Sequence, residues 1–314
     1  MSYKNIRKYS IILAVPAIFI CSELLLRAFG FCDALLYNES ELYEYIAQPN
    51  QDRYRFGAHI KTNSFSQRNS EEPDTTKTIV LGLGDSVLFG GTMTDQADLA
   101  SVLFSKETGM QMLNISAGSW GPDNCAAYLK ESGTFCAKAM VLVCSSHDAY
   151  DRMSHVPVVG RFPNYPDKQY KLAVWELLDR YIVPKVTVIW NKTKQQLDPD
   201  ETVAHQVANA VVQPKSPMEY PINEGFGELK AIADSVGIPF SIYLHAERGE
   251  VEAGEYNAMG KVILQWAEEN DVHCMTGLES GETPKMFRDG IHLNEEGQRH
   301  LAKCLEKLLQ SISQ

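Results

Sequence analysis

Dense basic clusters, paired cysteines, internal repeats and low-complexity tracts are all missing from these 314 residues. Lysine and arginine total 29 against 40 aspartates and glutamates, a formal net charge of -11. Beyond Lys4, Arg7 and Lys8 the basic residues do not cluster. That argues against a nucleic-acid partner, which needs a concentrated positive surface. The acidic balance favours solubility and names no partner. The seven cysteines are Cys21, Cys32, Cys125, Cys136, Cys144, Cys274 and Cys304. They form no CxxC pair and no His/Cys cluster with zinc-ligand spacing, so no metal is expected. Cys21, in an apolar stretch, and Cys144, in a core-strand pattern, read as small buried hydrophobes. One disulfide among the others stays open if the chain meets an oxidising compartment. Gly82, Gly84, Gly90 and Gly91 fit neither GxGxxG nor a P-loop, so no nucleotide or other cofactor is expected.

What is present is a folded composition, 44% hydrophobic and 22% charged, in a chain long enough to bury a sizeable core. The N-terminus reads as an anchor. Three basic residues precede Ser10 to Gly30, within which Ile11 to Cys21 is uninterrupted apolar. About 20 helical residues span a bilayer core, so a transmembrane helix is expected, its positive flank cytoplasmic and the rest of the chain periplasmic or extracellular. Glu23 and Arg27, four apart, can pair on one helix face. A cleaved signal and a buried helix are the alternatives.

Residues 1–30 are thus the anchor or signal, and 31–76, polar and weakly periodic, a linker and lead-in packing on the domain edge. From residue 77 to 314 short apolar runs alternate with helical patterns. Strands are expected at Thr78–Gly84, Met110–Ile115, Ala139–Cys144, Pro239–His245 and Val272–Met275. Helices are expected at Gln96–Thr108, Asn124–Ser132, Gly225–Ser235, Glu255–Asn270 and Asn294–Ser311. Such alternation implies parallel βα units with the active site at the strands' carboxyl ends. Residues from about 152 to 222 break the rhythm and read as an insertion near the site's mouth, with an aromatic helix from Tyr170 to Tyr181.

Four segments could carry chemistry, each placed after an expected strand or before the last helix. Gly84-Asp85-Ser86 can project a serine hydroxyl where the chain turns; a plain turn is the bland alternative. In Asp289-Gly-Ile-His292 the carboxylate can fix the imidazole tautomer and leave the other ring nitrogen free to take a serine proton. Capping explains Asn294 but gives no reason for His292. The small-residue loop from Asn114 to Gly121, with Gly118 and Ser119, can present N–H groups to an oxyanion, or be an ordinary βα loop. Ser145-Ser146-His147-Asp148 offers a side-chain donor in His147, or a structural histidine.

With these residues in view the chain resembles the SGNH/GDSL hydrolase superfamily, in its membrane-anchored bacterial form. Gly84-Asp85-Ser86 is similar to the family's first block, and Asp289 with His292 to its last. The resemblance implies a flavodoxin-like three-layer α/β/α fold with a parallel sheet. It implies Ser86 as nucleophile, His292 as base and Asp289 as its partner. It also implies an oxyanion hole from Ser86, the Gly118–Ser119 loop and His147, with Asp85 and Asp148 in support. Two blocks depart from the pattern. Ser119 stands where the second block has glycine, five residues after Asn114, and His147 stands where the third block has asparagine. The lead-in Asn63-Ser-Phe-Ser-Gln-Arg68 is similar to an Asn-Ser-x-Gly-x-Arg segment, without its glycine. What the resemblance implies is a serine esterase acting on O-acyl groups, such as O-acetyl groups of cell-envelope or exported carbohydrate. An O-acetyltransferase would use the same triad. A non-catalytic carbohydrate-binding protein and a lipase or thioesterase using the aromatics Trp175, Tyr181 and Trp190 are the other readings. The partners expected are an acylated small molecule or polysaccharide, and the membrane.

Overall fold

A computed structural model describes residues 3–187 and 221–310, with side chains from Leu13 onward. Two compact units divide the chain: 1–34, 54–57 and 168–215 form the smaller, and 35–53, 58–167 and 216–314 the larger.

The smaller unit carries helix α1, Tyr3–Ala28. Near its end Glu23 pairs with Arg27 at 2.8 Å, as their spacing implies, and accepts the N–H groups of Ala173 and Val174. Arg55 is buried here, bonded to Glu176 at 2.6 Å and lying over the rings of Phe31 and Phe56. The expected aromatic helix starts at Ala173, later than Tyr170, and widens into a π-turn over Leu177–Ile182. Trp190 lies outside the described residues. The transmembrane helix is not found: among the described residues no helix is long and apolar enough to cross a membrane. The physical reason lies in α1 itself. Glu23 and Arg27 are taken up by polar contacts within this unit and break the apolar sequence that runs from Ile11 to Cys21, which alone is well short of about 20 residues. Leu13, Val15, Ile18, Ile20, Leu24 and Leu25 are all more than half exposed, which also removes the buried-helix alternative. Cys21 is exposed, contrary to expectation, while Cys144 is buried.

The larger unit is built on five parallel strands: β1 (Ile79–Gly84), β2 (Gln111–Ser116), β3 (Ala139–Ser145), β4 (Phe240–His245) and β5 (His273–Thr276). Their order is β2-β1-β3-β4-β5, the flavodoxin-like order. Side chains alternate between the faces. Leu81, Leu83, Leu142, Cys144, Ile242 and Leu244 turn to a core shared with α4 (Pro122–Ser132), α5 (Gly225–Val236) and α6 (Ala258–Glu269). Val80, Met112, Val141, Val143 and Tyr243 turn to the other, shared with α3 (Ala100–Thr108) and α7 (Glu295–Leu308). Covering both faces requires the near-continuous apolar strands read from the sequence. Between β1 and β3 the strand order reverses, so the crevice beyond their carboxyl ends opens there.

The expected linker and lead-in, 31–76, holds regular structure. Strands Tyr37–Ser40 and Glu44–Ala47 form an antiparallel pair, and Leu35, Tyr37, Tyr45, Ile46 and Ile60 enter the core. Of the expected insertion, 152–167 belongs to the larger unit, and 188–220 lies outside the described residues, as does Ser311.

Candidate active site

The nucleophile candidate stands at the switch point. β1 ends at Gly84, where a Cβ would fall 2.6 Å from the Val143 carbonyl, so only glycine fits this close approach. Asp85 follows and caps the next turn, its Oδ1 accepting the Val87 N–H at 2.7 Å. Ser86 opens the short helix α2, Ser86–Phe89, which closes on Gly90 in the left-handed conformation. Arg68, fully buried, grips the exit of that helix. It donates to the carbonyls of Phe89 and Thr94 at 2.6 and 2.7 Å and to that of Gly91, and stacks on Phe89. Burial brings its pKa down to about 9.

The structure brings Ser86, His292 and Asp289 together. His292 Nε2 lies 3.0 Å from Ser86 Oγ, and its Nδ1 lies 2.8 Å from Asp289 Oδ2. Asp289 Oδ1 accepts the backbone N–H groups of Ile291 and His292 at 3.0 and 2.8 Å. Desolvation works to raise the Asp289 pKa, but these N–H bonds and the imidazole outweigh it and hold the carboxyl at about 2. Gln298 on α7 ties the parts together. Its amide donates to the Val87 carbonyl at 3.0 Å and accepts the Ala100 N–H at 2.9 Å. An ionised carboxylate, an oriented imidazole and a hydroxyl within reach are what nucleophilic acyl transfer requires.

The second-block loop lies beside the lead-in strands. The Tyr45 hydroxyl donates to the Gly118 carbonyl at 2.6 Å, and the Trp120 indole donates to the Tyr45 carbonyl at 2.8 Å. Ser119 adopts φ +58°, the left-handed region that glycine enters freely. Asn114 is turned inward, bonded to the Leu88 carbonyl and Ser101.

His147 sits among carboxylates. Its Nδ1 is 3.3 Å from Glu247, and its Nε2 is 3.9 Å from Asp85 and 3.8 Å from Asp148. Desolvation opposes the imidazolium, but Glu247, Asp148 and Asp85 outweigh it and carry its pKa up to about 10. Burial pushes Asp148 well above the carboxylate range, and repulsion from Asp85 adds to this. Asp85 is raised by burial too. Asp148 Oδ2 accepts the Ser145 N–H, while its buried Oδ1 has no hydrogen-bond partner. Asp85, His147 and Asp148 could hold a metal ion, their ligand atoms lying within 4.8 Å of one another. In this arrangement the imidazolium is the counter-charge.

Sequence reasoning missed Glu247, Gln298, His245 and Glu282, and left Arg68 without a role. His245 had one readable signal, a polar residue closing an apolar strand at the active-site edge. Glu282 had none.

Scanning protein-family models and searching curated proteins returns no match. Solved structures similar to this chain are GDSL-type lipolytic proteins and esterases. An acetyl xylan esterase is 12% identical, with 73% of this chain and 98% of that one covered, at a TM-score of 0.42. An esterase from a Pseudoalteromonas species is 11% identical, with 74% and 97% covered, at 0.40. A two-domain esterase active on acetylated mannans is 9% identical, with 75% and 49% covered, at 0.42.

Proposed function

We propose that this chain is a serine esterase that hydrolyses O-acyl esters, with O-acetyl groups of cell-envelope or exported carbohydrate as its substrate class. The observation that carries the reading is the hydrogen-bonded sequence Ser86 Oγ, His292 Nε2, His292 Nδ1, Asp289 Oδ2, at 3.0 and 2.8 Å. Ser86 Oγ attacks the ester carbonyl while His292 Nε2 takes its proton. The tetrahedral intermediate collapses, the proton passes to the leaving alcohol, and Ser86 keeps the acyl group. Water, deprotonated by His292, repeats the attack and releases the acid. Backbone N–H groups of Ser86 and the Gly118–Ser119 loop are the proposed oxyanion donors, with His147 beside them. The substrate class comes from the resemblance to anchored SGNH/GDSL members.

Attachment to a membrane through the N-terminus, with the catalytic unit periplasmic or extracellular, belongs to the same proposal. The exposed apolar residues of α1 between Leu13 and Leu25 support it. Alkaline carbonate extraction tests the address: release of the intact chain into the soluble fraction would reject it. For the chemistry, a fluorophosphonate probe is expected to label the wild type and not Ser86→Ala. An unlabelled, folded wild type would overturn the serine-hydrolase reading. Faster turnover of octanoyl than of acetyl esters would reject the short-acyl substrate class.

A further inference from the structure

Beneath the triad lies an ion pair that the acyl-transfer steps above do not use. His245 closes β4 with its ring fully buried. Its Nδ1 lies 2.8 Å from Glu282 Oε1, and its Nε2 lies 2.9 Å from the carbonyl oxygen of Ile291. A carbonyl oxygen only accepts, so Nε2 must carry a proton whichever way the proton between Nδ1 and Glu282 is shared. Glu282 is held in turn by the Tyr243 hydroxyl at 2.9 Å and the Ala246 N–H at 3.0 Å. Phe287 stacks on the imidazole. Glu282, Asp85 and Glu247 are carboxylates whose charges act on His245, and His300 is the titratable group on the far side, reached through Ser280.

The Ile291 carbonyl and the His292 N–H belong to one planar peptide unit. Its carbonyl end is gripped by His245 and its N–H end by Asp289. The same Asp289 carboxylate binds the His292 ring. Rotation of this plane would therefore misplace the Asp289–His292 bond and the 3.0 Å approach to Ser86 together. The preceding carbonyl, Gly290, is fixed separately by the Arg248 N–H at 2.9 Å.

We infer that His245, held protonated at Nε2 by Ile291 and anchored by Glu282, is the positioning residue that sets the orientation of the general base His292. This rests on the serine-hydrolase reading. It touches neither substrate nor nucleophile, so its effect falls on the chemical step and leaves substrate binding alone.

The test compares His245→Leu, which keeps bulk but loses the donor, with His245→Gln, whose amide nitrogen reaches as far as Nε2. In folded protein, kcat for an aryl acetate is expected to fall about 10²-fold in the leucine variant at nearly constant KM, the scale of a small misplacement of a reacting group. Fluorophosphonate labelling is expected to slow in proportion, the downfield proton resonance of the His292–Asp289 bond to broaden or shift, and glutamine to recover most of the loss. Wild-type kcat and labelling in a folded leucine variant would overturn the inference. Equal losses in leucine and glutamine variants would do so too, since packing alone would explain them. Should the leucine variant not fold, Glu282→Gln takes its place: a kcat loss at constant KM supports the inference, and unchanged kcat with an unchanged His292 resonance overturns it. A wild type that does not label removes the serine-hydrolase reading itself, which separates the two failures.

Discussion

Two histidines, His292 beside Ser86 and His147 near Asp85, each face carboxylates, yet their surroundings differ in kind. His292 is paired with Asp289, a carboxylate about half exposed and supplied with two backbone N–H bonds. His147 faces Asp85 and Asp148, whose side chains are 2% exposed, and Glu247 at the surface. Where N–H groups solvate the carboxylate, it stays ionised down to about pH 2. Where burial leaves Asp148 Oδ1 without a donor, the carboxyls are pushed up and the imidazole becomes the cation that compensates them. Residue type is the same on the two sides; solvation of the carboxylates is what sets the two surroundings apart.

The sharpest way to break this contrast is at Asp289. Asp289→Asn keeps the shape but removes the charge that fixes the His292 tautomer, and kcat is expected to drop by about 10⁴, as in triads generally. A drop below tenfold in steady-state kinetics would deny Asp289 its role. Next in size is His147. If its charge assists an oxyanion, His147→Ala lowers kcat by about 10²–10³, and His147→Asn, the residue the third block ordinarily has, recovers most of it. An alanine variant with full activity would reduce His147 to a structural ion.

The same residue gives a stability prediction. A pKa raised to about 10 from an ordinary 6.5 means the folded state binds the proton more tightly than the unfolded chain. That stabilisation is fully present below about pH 6.5 and is lost as pH rises through about 10. The Tm gap between wild type and His147→Asn is therefore expected to be widest near pH 6 and to close toward pH 10; a gap that widens with pH would contradict the assignment. Asp289 runs the other way. Its lowered pKa contributes stability above about 3.8 that is lost as pH falls toward 2. The smallest expected effect is at Ser119. Ser119→Gly relieves a left-handed serine, a conformation costing roughly 1–2 kcal/mol, and leaves Tm level or higher, whereas Ser119→Val lowers it.

Much of the scaffold was legible because its signals are local. Each expected sheet strand is present to within two residues at either end, since strands covered on both faces must be continuously apolar. The proximity of Ser86, Asp289 and His292 was legible from their place at strand and helix ends. The hairpin at Tyr37–Ala47 was not, because two of its buried positions, Tyr37 and Tyr45, are tyrosines, which also read as polar loop. The charge of His147 was not, because it depends on Glu247, a hundred residues away. Where the lead-in and second block lack the expected glycine, Ser66 and Ser119 take φ +63° and +58°. Both serines adopt a conformation that glycine enters freely, which the letters alone do not reveal.

His292 and Asp289 arise on a single tetrapeptide, and the Ser86 hydroxyl that His292 faces lies 206 residues earlier in the chain. That asymmetry has a consequence for biosynthesis. As the polypeptide emerges, β1 and its serine are made first and carry no reactive partner. In the folded chain Gln298 on α7 bridges Val87 and Ala100, and His292, just ahead of α7, lies against Ser86. Under the proposed function, a half-made or half-folded chain, in which the three side chains are apart, is expected to be inert toward esters.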